Sequence, residues 1–154
     1  MNLSELQKWD LRFIELAKHI SSWSKDPSTQ VGAVIVDDRY VVRGMGYNGF
    51  PRGVKDSSDR YAIRELKYQY IVHAELNAIL NAHDSVEGCS IYVWPTLMFP
   101  VTCPECCKSV IQSGIVEVVS YIQETTPRWH SMADISHAML SEAGVRMRGI
   151  ECHR

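Results

Sequence analysis

The chain has 154 residues, 45% of them apolar and 22% charged, with a formal net charge of −2 and a pI near 6.3. That is the size and composition of a single core-forming domain spanning residues 1–154, and its charge gives no electrostatic reason to expect a nucleic-acid partner. The opening MNLSELQKWDLRF lacks the cationic-then-apolar order of a signal segment, no apolar run approaches ~18 residues, and the five cysteines form no paired framework, so a cytoplasmic setting without a membrane span is expected.

In chain order, Leu6, Trp9, Phe13, Leu16, Ala17 and Ile20 recur at three- and four-residue steps, predicting a helix with Ser4 as its cap and a core-facing stripe. The pattern fades at Ser21–Ser24, and Asp26-Pro27 marks a turn. Val31–Val36 and Tyr40–Tyr47 read as strands, and the short polar connector Asp37-Asp38-Arg39 makes them an antiparallel hairpin. Asn48 to Gly53 is turn chemistry, and Asp56 to Tyr70 is polar and partly helical. A buried helix is predicted from His73 to His83. Cys89–Trp94 is a strand, Pro95–Thr102 a loop, and Cys106–Ser113 a helix closed by Gly114. Ile115–Ile122 is another strand, Ser131–Glu142 a last helix, and Val145–Met147 a short edge strand. An antiparallel entry followed by βαβ units predicts an α/β three-layer sandwich, α/β/α, around a mixed five-stranded sheet.

The chemistry is concentrated in His73-Ala74-Glu75 and, thirty residues on, Cys103-Pro104-Glu105-Cys106. One imidazole and two thiolates suit Zn²⁺ and leave its fourth tetrahedral position for water, the arrangement of a catalytic rather than a structural ion. Glu75 is not needed to hold the metal, but a carboxylate there is what proton transfer beside the metal requires. Both motifs fall at helix N-termini, whose partial positive charge favours thiolates at Cys103 and Cys106. Competing readings are a structural zinc site completed by Cys89, Cys107, Cys152 or His83, which form no second CxxC or HxxxH, and a redox dithiol, which leaves His-Ala-Glu without a purpose.

The two motifs together resemble the HxE…PCxxC signature of the zinc nucleobase deaminases. The segments SKDPSTQVGA (24–33), GYNGFPRG (46–53) and YIVHAELNAI (70–79) make the chain similar to one family in particular, the deoxycytidylate (dCMP) deaminases, over about residues 10–121. The resemblance implies a cytidine deaminase-like fold and hydrolysis of dCMP to dUMP and ammonia, supplying dUMP for thymidylate synthesis. It implies one zinc per subunit on His73, Cys103 and Cys106, with Glu75 moving protons from water to N3 and the departing ammonia, and the Ala74 amide steadying the pyrimidine carbonyl. Ser24 and Lys25 would contact the phosphate, against the plain alternative of a solvated helix end. Asn48 would contact sugar or pyrimidine, against that of an Asn-Gly turn. Tyr121 would border the substrate or pack in the core. Members of the family are commonly homohexamers, activated by dCTP and inhibited by dTTP. That places Tyr47, Gly49, Phe50, Arg52 and Gly53 at an allosteric triphosphate carried with Mg²⁺.

The chain departs from the family pattern in having Thr102 where proline usually precedes the first zinc cysteine, with Pro104 after it, and in a lengthened, apolar Pro95–Thr102 approach. The second, structural zinc of some viral relatives finds no convincing ligand set, with His19, His83, Cys89 and Cys152 as the available residues. A free cytidine deaminase would have no use for the first two segments, and tRNA or single-stranded DNA deaminases would show more basic surface. A zinc-stabilised binding module would be expected to have lost Glu75.

Overall fold

The structure, a computed structural model, describes residues 3–151. Five strands form one sheet in the order β2-β1-β3-β4-β5: β1 (Gly32–Val36), β2 (Val42–Tyr47), β3 (Ser90–Trp94), β4 (Glu117–Tyr121) and β5 (Arg146–Ile150). β1 runs antiparallel to both β2 and β3, whereas β3, β4 and β5 are mutually parallel. This is the expected mixed sheet.

Strand alternation divides the core in two. Val34, Val36, Tyr92 and Val119 face α1 (Leu3–Ser21), meeting Phe13, Ile14, Ala17 and Ile20. Ala33, Ile35, Ile91, Val93 and Val118 face the opposite layer of α4 (Ala74–Asn81), α5 (Pro104–Gln112) and α6 (His130–Glu142). Two short helices, α2 (Ser58–Ala62) and α3 (Arg64–Tyr70), lead into α4. No helix among the described residues is long and apolar enough to cross a membrane.

Several boundaries differ from the sequence expectation. α1 already includes Leu3, so Ser4 falls in its first turn rather than at its cap. α5 begins two residues earlier than predicted because Pro104 is suited to a first helical turn. Gly114, with φ of +80°, ends it as expected. α6 starts at His130 after a 3₁₀ turn at Pro127–Trp129, and β5 extends to Ile150. The helix expected from His73 to His83 is α4, shorter and less buried: Ala74, Glu75 and Ala78 are buried, but Leu80 is 69% exposed. The apolar approach loop is explained by packing, since Met98 and Val101 close a small bridge and join the core of the α4–α6 layer.

α4 lies unusually close to the sheet. A Cβ on Gly44 would stand 2.3 Å from the Ala78 carbonyl oxygen, and one on Gly46 2.3 Å from the Ala78 nitrogen. Only glycine permits this approach. Across the sheet, buried Asp10 of α1 is bound by the Arg148 guanidinium of β5 and accepts the Tyr92 hydroxyl at 2.8 Å. Arg148 also donates to Glu117 at 3.2 Å, and Glu117 accepts from Ser90 at 3.0 Å.

Candidate metal centre and nucleotide pocket

His73 and Cys103 occupy equivalent places, the extended residues that cap α4 and α5, with φ, ψ of −71°, 154° and −64°, 158°. Neither side chain bonds its own helix end, which leaves both free to turn toward each other. Cys106 lies one turn into α5, on the face of Cys103. His73 Nδ1 is 3.2 Å from Cys103 Sγ and 3.3 Å from Cys106 Sγ. All three ligand atoms lie within 4.8 Å of one another, and they form the one such cluster of metal-binding side chains among the described residues. Zn–N and Zn–S bonds at the tetrahedral angle separate nitrogen from sulfur by about 3.5 Å, so the donor types and spacing fit a zinc ion. Exposure is graded: His73 is exposed, Cys103 half-buried and Cys106 buried, so the cluster is reached from solvent past the imidazole.

Electrostatics favour a thiolate at Cys103 beside a protonated His73 and a protonated Cys106. The Cys103 sulfur accepts from the Cys106 thiol and from the His73 imidazolium, which holds Cys103 well down, to about 4. The same contact with Cys103 raises His73 to about 9. Its hydrogen bond to Cys103, reinforced by burial and by Glu75, pushes Cys106 up. Glu75, in the first turn of α4, is buried, and burial with the nearby Cys103 charge raises its carboxyl. Its Oε2 accepts from the Cys106 thiol at 3.6 Å. The carboxyl group therefore reaches the cluster. Ala74, wholly buried, is the first residue of α4.

The other cysteines and acids of the motifs point elsewhere. Cys107 is buried in the core against Thr102, and Cys89 is buried under the same layer. Glu105 projects into solvent and pairs with Lys108. No second metal cluster forms among the described residues, and Cys152 lies outside them.

The residues expected to meet a nucleotide separate into groups. A pocket of about 240 Å³ is lined by Lys25, Asn48, Asp56 and Tyr61 together with Tyr47, Gly49, Phe50, Arg52 and Gly53. Lys25, expected at the substrate phosphate, thus stands with the residues expected at the regulatory triphosphate, ion-paired to Asp56 at 2.9 Å. The Asn48 amide is engaged internally, accepting the Val31 N–H and donating to the Thr29 carbonyl, each at 2.8 Å. Ser24 is buried and donates to the Asn48 carbonyl at 2.8 Å. Tyr121, at the end of β4, packs partly against the α1 side of the sheet, opposite α4 and α5. A larger groove of about 540 Å³ runs between Phe99–Val101, Gln123–Pro127 and the first turns of α6, and contains none of the expected site residues.

The segment 24–30 is held by contacts that the sequence does not announce. Lys67 of α3 is buried and ion-paired with buried Asp26 at 3.1 Å, and it donates to Ser28 at 3.0 Å. Asp26 also accepts the amides of Ser28 and Thr29. Burial opposes ionisation of Asp26, but these donors outweigh it and hold the carboxyl below its ordinary value. The Asp-Pro-Ser turn was legible, but a partner 41 residues away carried no signal.

Comparison with known proteins agrees with this geometry. Residues 7–122 match the family described as the cytidine and deoxycytidylate deaminase zinc-binding region. The chain is 46% identical to a protein of Aliivibrio fischeri named uncharacterized deaminase in luxG 3'region, over 92% of this chain and 93% of the other. It is 40% identical to the deoxycytidylate deaminase of Homo sapiens, over 92% of this chain and 79% of the other. Its fold matches the crystal structure of the dCMP deaminase from cyanophage S-TIM5 in complex with dCMP and dUMP, with a TM-score of 0.70 at 21% identity over 96% of this chain and 98% of that one.

Proposed function

Because this chain belongs to the cytidine and deoxycytidylate deaminase zinc-binding family, we propose that it hydrolyses dCMP to dUMP and ammonia. The observation that carries this reading is the His73, Cys103 and Cys106 trio with the buried Glu75 carboxyl within reach of it. Zinc held by those three side chains would supply Lewis acidity toward a water molecule. The residues around it handle protons and position. Glu75 accepts the proton released by that water as its oxygen bonds to C4 of the ring. The carboxyl passes this proton to N3, then takes the second proton from the new C4 hydroxyl and passes it to the amino group, so that the C4–N bond breaks, C4 becomes a carbonyl and ammonia leaves. The Ala74 amide, at the start of α4, donates to the pyrimidine carbonyl. The family resemblance assigns the phosphate and sugar to Ser24, Lys25 and Asn48 and the substrate border to Tyr121; of these, Lys25 carries its polar group at the surface, whereas Ser24 and Asn48 act through the loop they bond and Tyr121 lies across the sheet.

The choice of a nucleotide over a nucleoside rests on the SKDPSTQVGA and GYNGFPRG segments and on curated relatives named deoxycytidylate deaminase. Arg52 gives the 240 Å³ pocket a cation beside the Lys25–Asp56 pair, which together with the family resemblance supports its use by a regulatory triphosphate. dCTP–Mg²⁺ activates there, dTTP–Mg²⁺ inhibits, and the enzyme works as a cytoplasmic homohexamer.

The test is dCMP deamination followed as ultraviolet loss, with dCTP–Mg²⁺ or dTTP–Mg²⁺ in parallel and deoxycytidine and a cytosine oligonucleotide as competing substrates. Turnover of dCMP, raised by dCTP and suppressed by dTTP, is expected. Preference for deoxycytidine would overturn the nucleotide assignment, and indifference to both triphosphates would remove the regulation while keeping the enzyme. Light scattering of the purified protein reads the subunit number.

A further inference from the structure

The helix that begins after His73 is attached to the pocket loop at three levels. At its start, Val72, the residue before His73, forms a two-bond bridge with Gly49: the Gly49 N–H donates to the Val72 carbonyl at 3.1 Å, and the Val72 N–H donates to the Gly49 carbonyl at 2.8 Å. In the middle of α4, the Asn77 side chain donates to the Tyr47 carbonyl at 2.8 Å. At its end, the Asn81 amide donates to the Met45 carbonyl at 3.0 Å and accepts from the Arg52 guanidinium at 2.8 Å. Asn77 and Asn81 are four residues apart and share one helix face. β2 is an edge strand, and the carbonyls these two side chains satisfy belong to it.

We propose that Asn77 and Asn81 are positioning residues, which fix α4, and with it His73 and Glu75, to strand β2 and the Arg52 loop. Gly44 and Gly46 let the backbone of α4 seat directly on β2, and directional bonds to the β2 carbonyls add to this packing in fixing the helix along the strand. The two asparagines supply those bonds, and they do so without occupying the metal cluster. Asn81 does a second thing: its carbonyl oxygen holds Arg52, a wall residue of the pocket. An anion bound in that pocket competes for the guanidinium, and a charge-assisted bond outweighs one to a neutral amide. Pocket occupancy is thereby transmitted to the end of α4. This last step rests on the triphosphate reading above, whereas the positioning role does not.

The test uses the full-length zinc-loaded protein and the variants Asn77→Ala, Asn81→Ala, Arg52→Ala and the Arg52→Ala/Asn81→Ala pair. Hydrogen exchange of the peptide covering residues 72–76 should accelerate in both asparagine variants at unchanged zinc content. Their kcat for dCMP should fall by at least about ten-fold with KM within about two-fold, because an ångström of misplacement can cost about a hundred-fold. The Arg52 and Asn81 effects should be non-additive. Exchange at 72–76 equal to wild type in both variants would overturn the proposal, as would a loss confined to melting temperature with kcat per bound zinc intact. Absence of dCMP turnover in the wild type would sink the substrate reading alone, and exchange at 72–76 would still decide this one.

Discussion

Gly46→Ala tests whether the close seating of α4 on β2 sets the geometry of the reaction. The added Cβ would lie 2.3 Å from the Ala78 nitrogen, 2.6 Å from the Ala74 carbonyl oxygen and 2.7 Å from the Asn77 carbonyl carbon. All three are backbone atoms, so no side chain can rotate away. Ordinary contact begins at 3.4 Å, which leaves the helix roughly 1 Å too close. Overpacking of this kind costs about 1–3 kcal/mol, and each kcal/mol lowers Tm by about 2–4 °C in a domain of this size. The functional effect should be larger than the thermal one. Ala74 opens the helix, His73 caps it and Glu75 lies in its first turn, so a shift of about 1 Å disturbs proton transfer by roughly a hundred-fold. Steady-state kcat for dCMP, normalised to zinc measured by atomic absorption, and Tm by calorimetry give both numbers. A variant with wild-type kcat per zinc and wild-type Tm would refute the reasoning.

Glu75→Gln keeps the size of the side chain and removes its base. Turnover should fall by at least about a hundred-fold while zinc stays at wild-type stoichiometry, and loss of zinc in this variant would assign Glu75 to the metal instead. Cys106→Ser, or treatment with a chelator, should release the ion and the activity together, and added Zn²⁺ should restore activity to the chelated wild type alone; zinc retained by Cys106→Ser would remove that residue from the ligand set. Lys67→Met leaves Asp26 buried without its cation and should cost about 3–5 kcal/mol in urea melts, so an unchanged midpoint would deny the pair a role in stability. The folded-state values of Asp26 and Glu117 are depressed, so their stabilisation is complete above the unfolded carboxylate range near 4 and is lost as pH falls through the folded values. Circular dichroism against pH should therefore show unfolding on the acid side, with Lys67→Met shifting that midpoint to higher pH.

The metal centre was legible because metal-binding side chains are rare and their spacing is local. His73 and Glu75 are two residues apart and Cys103 and Cys106 three, and both motifs sit where a strand or loop becomes a helix. The sheet was legible for a similar reason, since β1, β3 and β4 are short runs of Val, Ile and aromatic residues. The misjudged burial of α4 has a definite cause. Apolar residues lie all round the helix, but close seating on Gly44 and Gly46 narrows the covered face and leaves Leu80 outside it. Lys25 and Asp56 lie 31 residues apart and Lys67 and Asp26 41, and nothing in the periodicity of a sequence announces such pairs. Asn48 shows another limit, for a residue type able to serve a ligand serves the backbone equally well.

The Asp10–Arg148 contact has a consequence for synthesis of the chain. Its two residues are 138 positions apart, so on the ribosome the acid on α1 emerges long before its guanidinium partner. Until β5 is made, Asp10 and Glu117 keep their water, and the α1 face of the sheet cannot close over them at low cost. Docking of α1 thus waits on β5. A ribosome stalled before residue 148 should hold a chain whose α1 is formed but undocked, open to chaperones and to proteolysis, and emergence of β5 should let α1 close on the sheet.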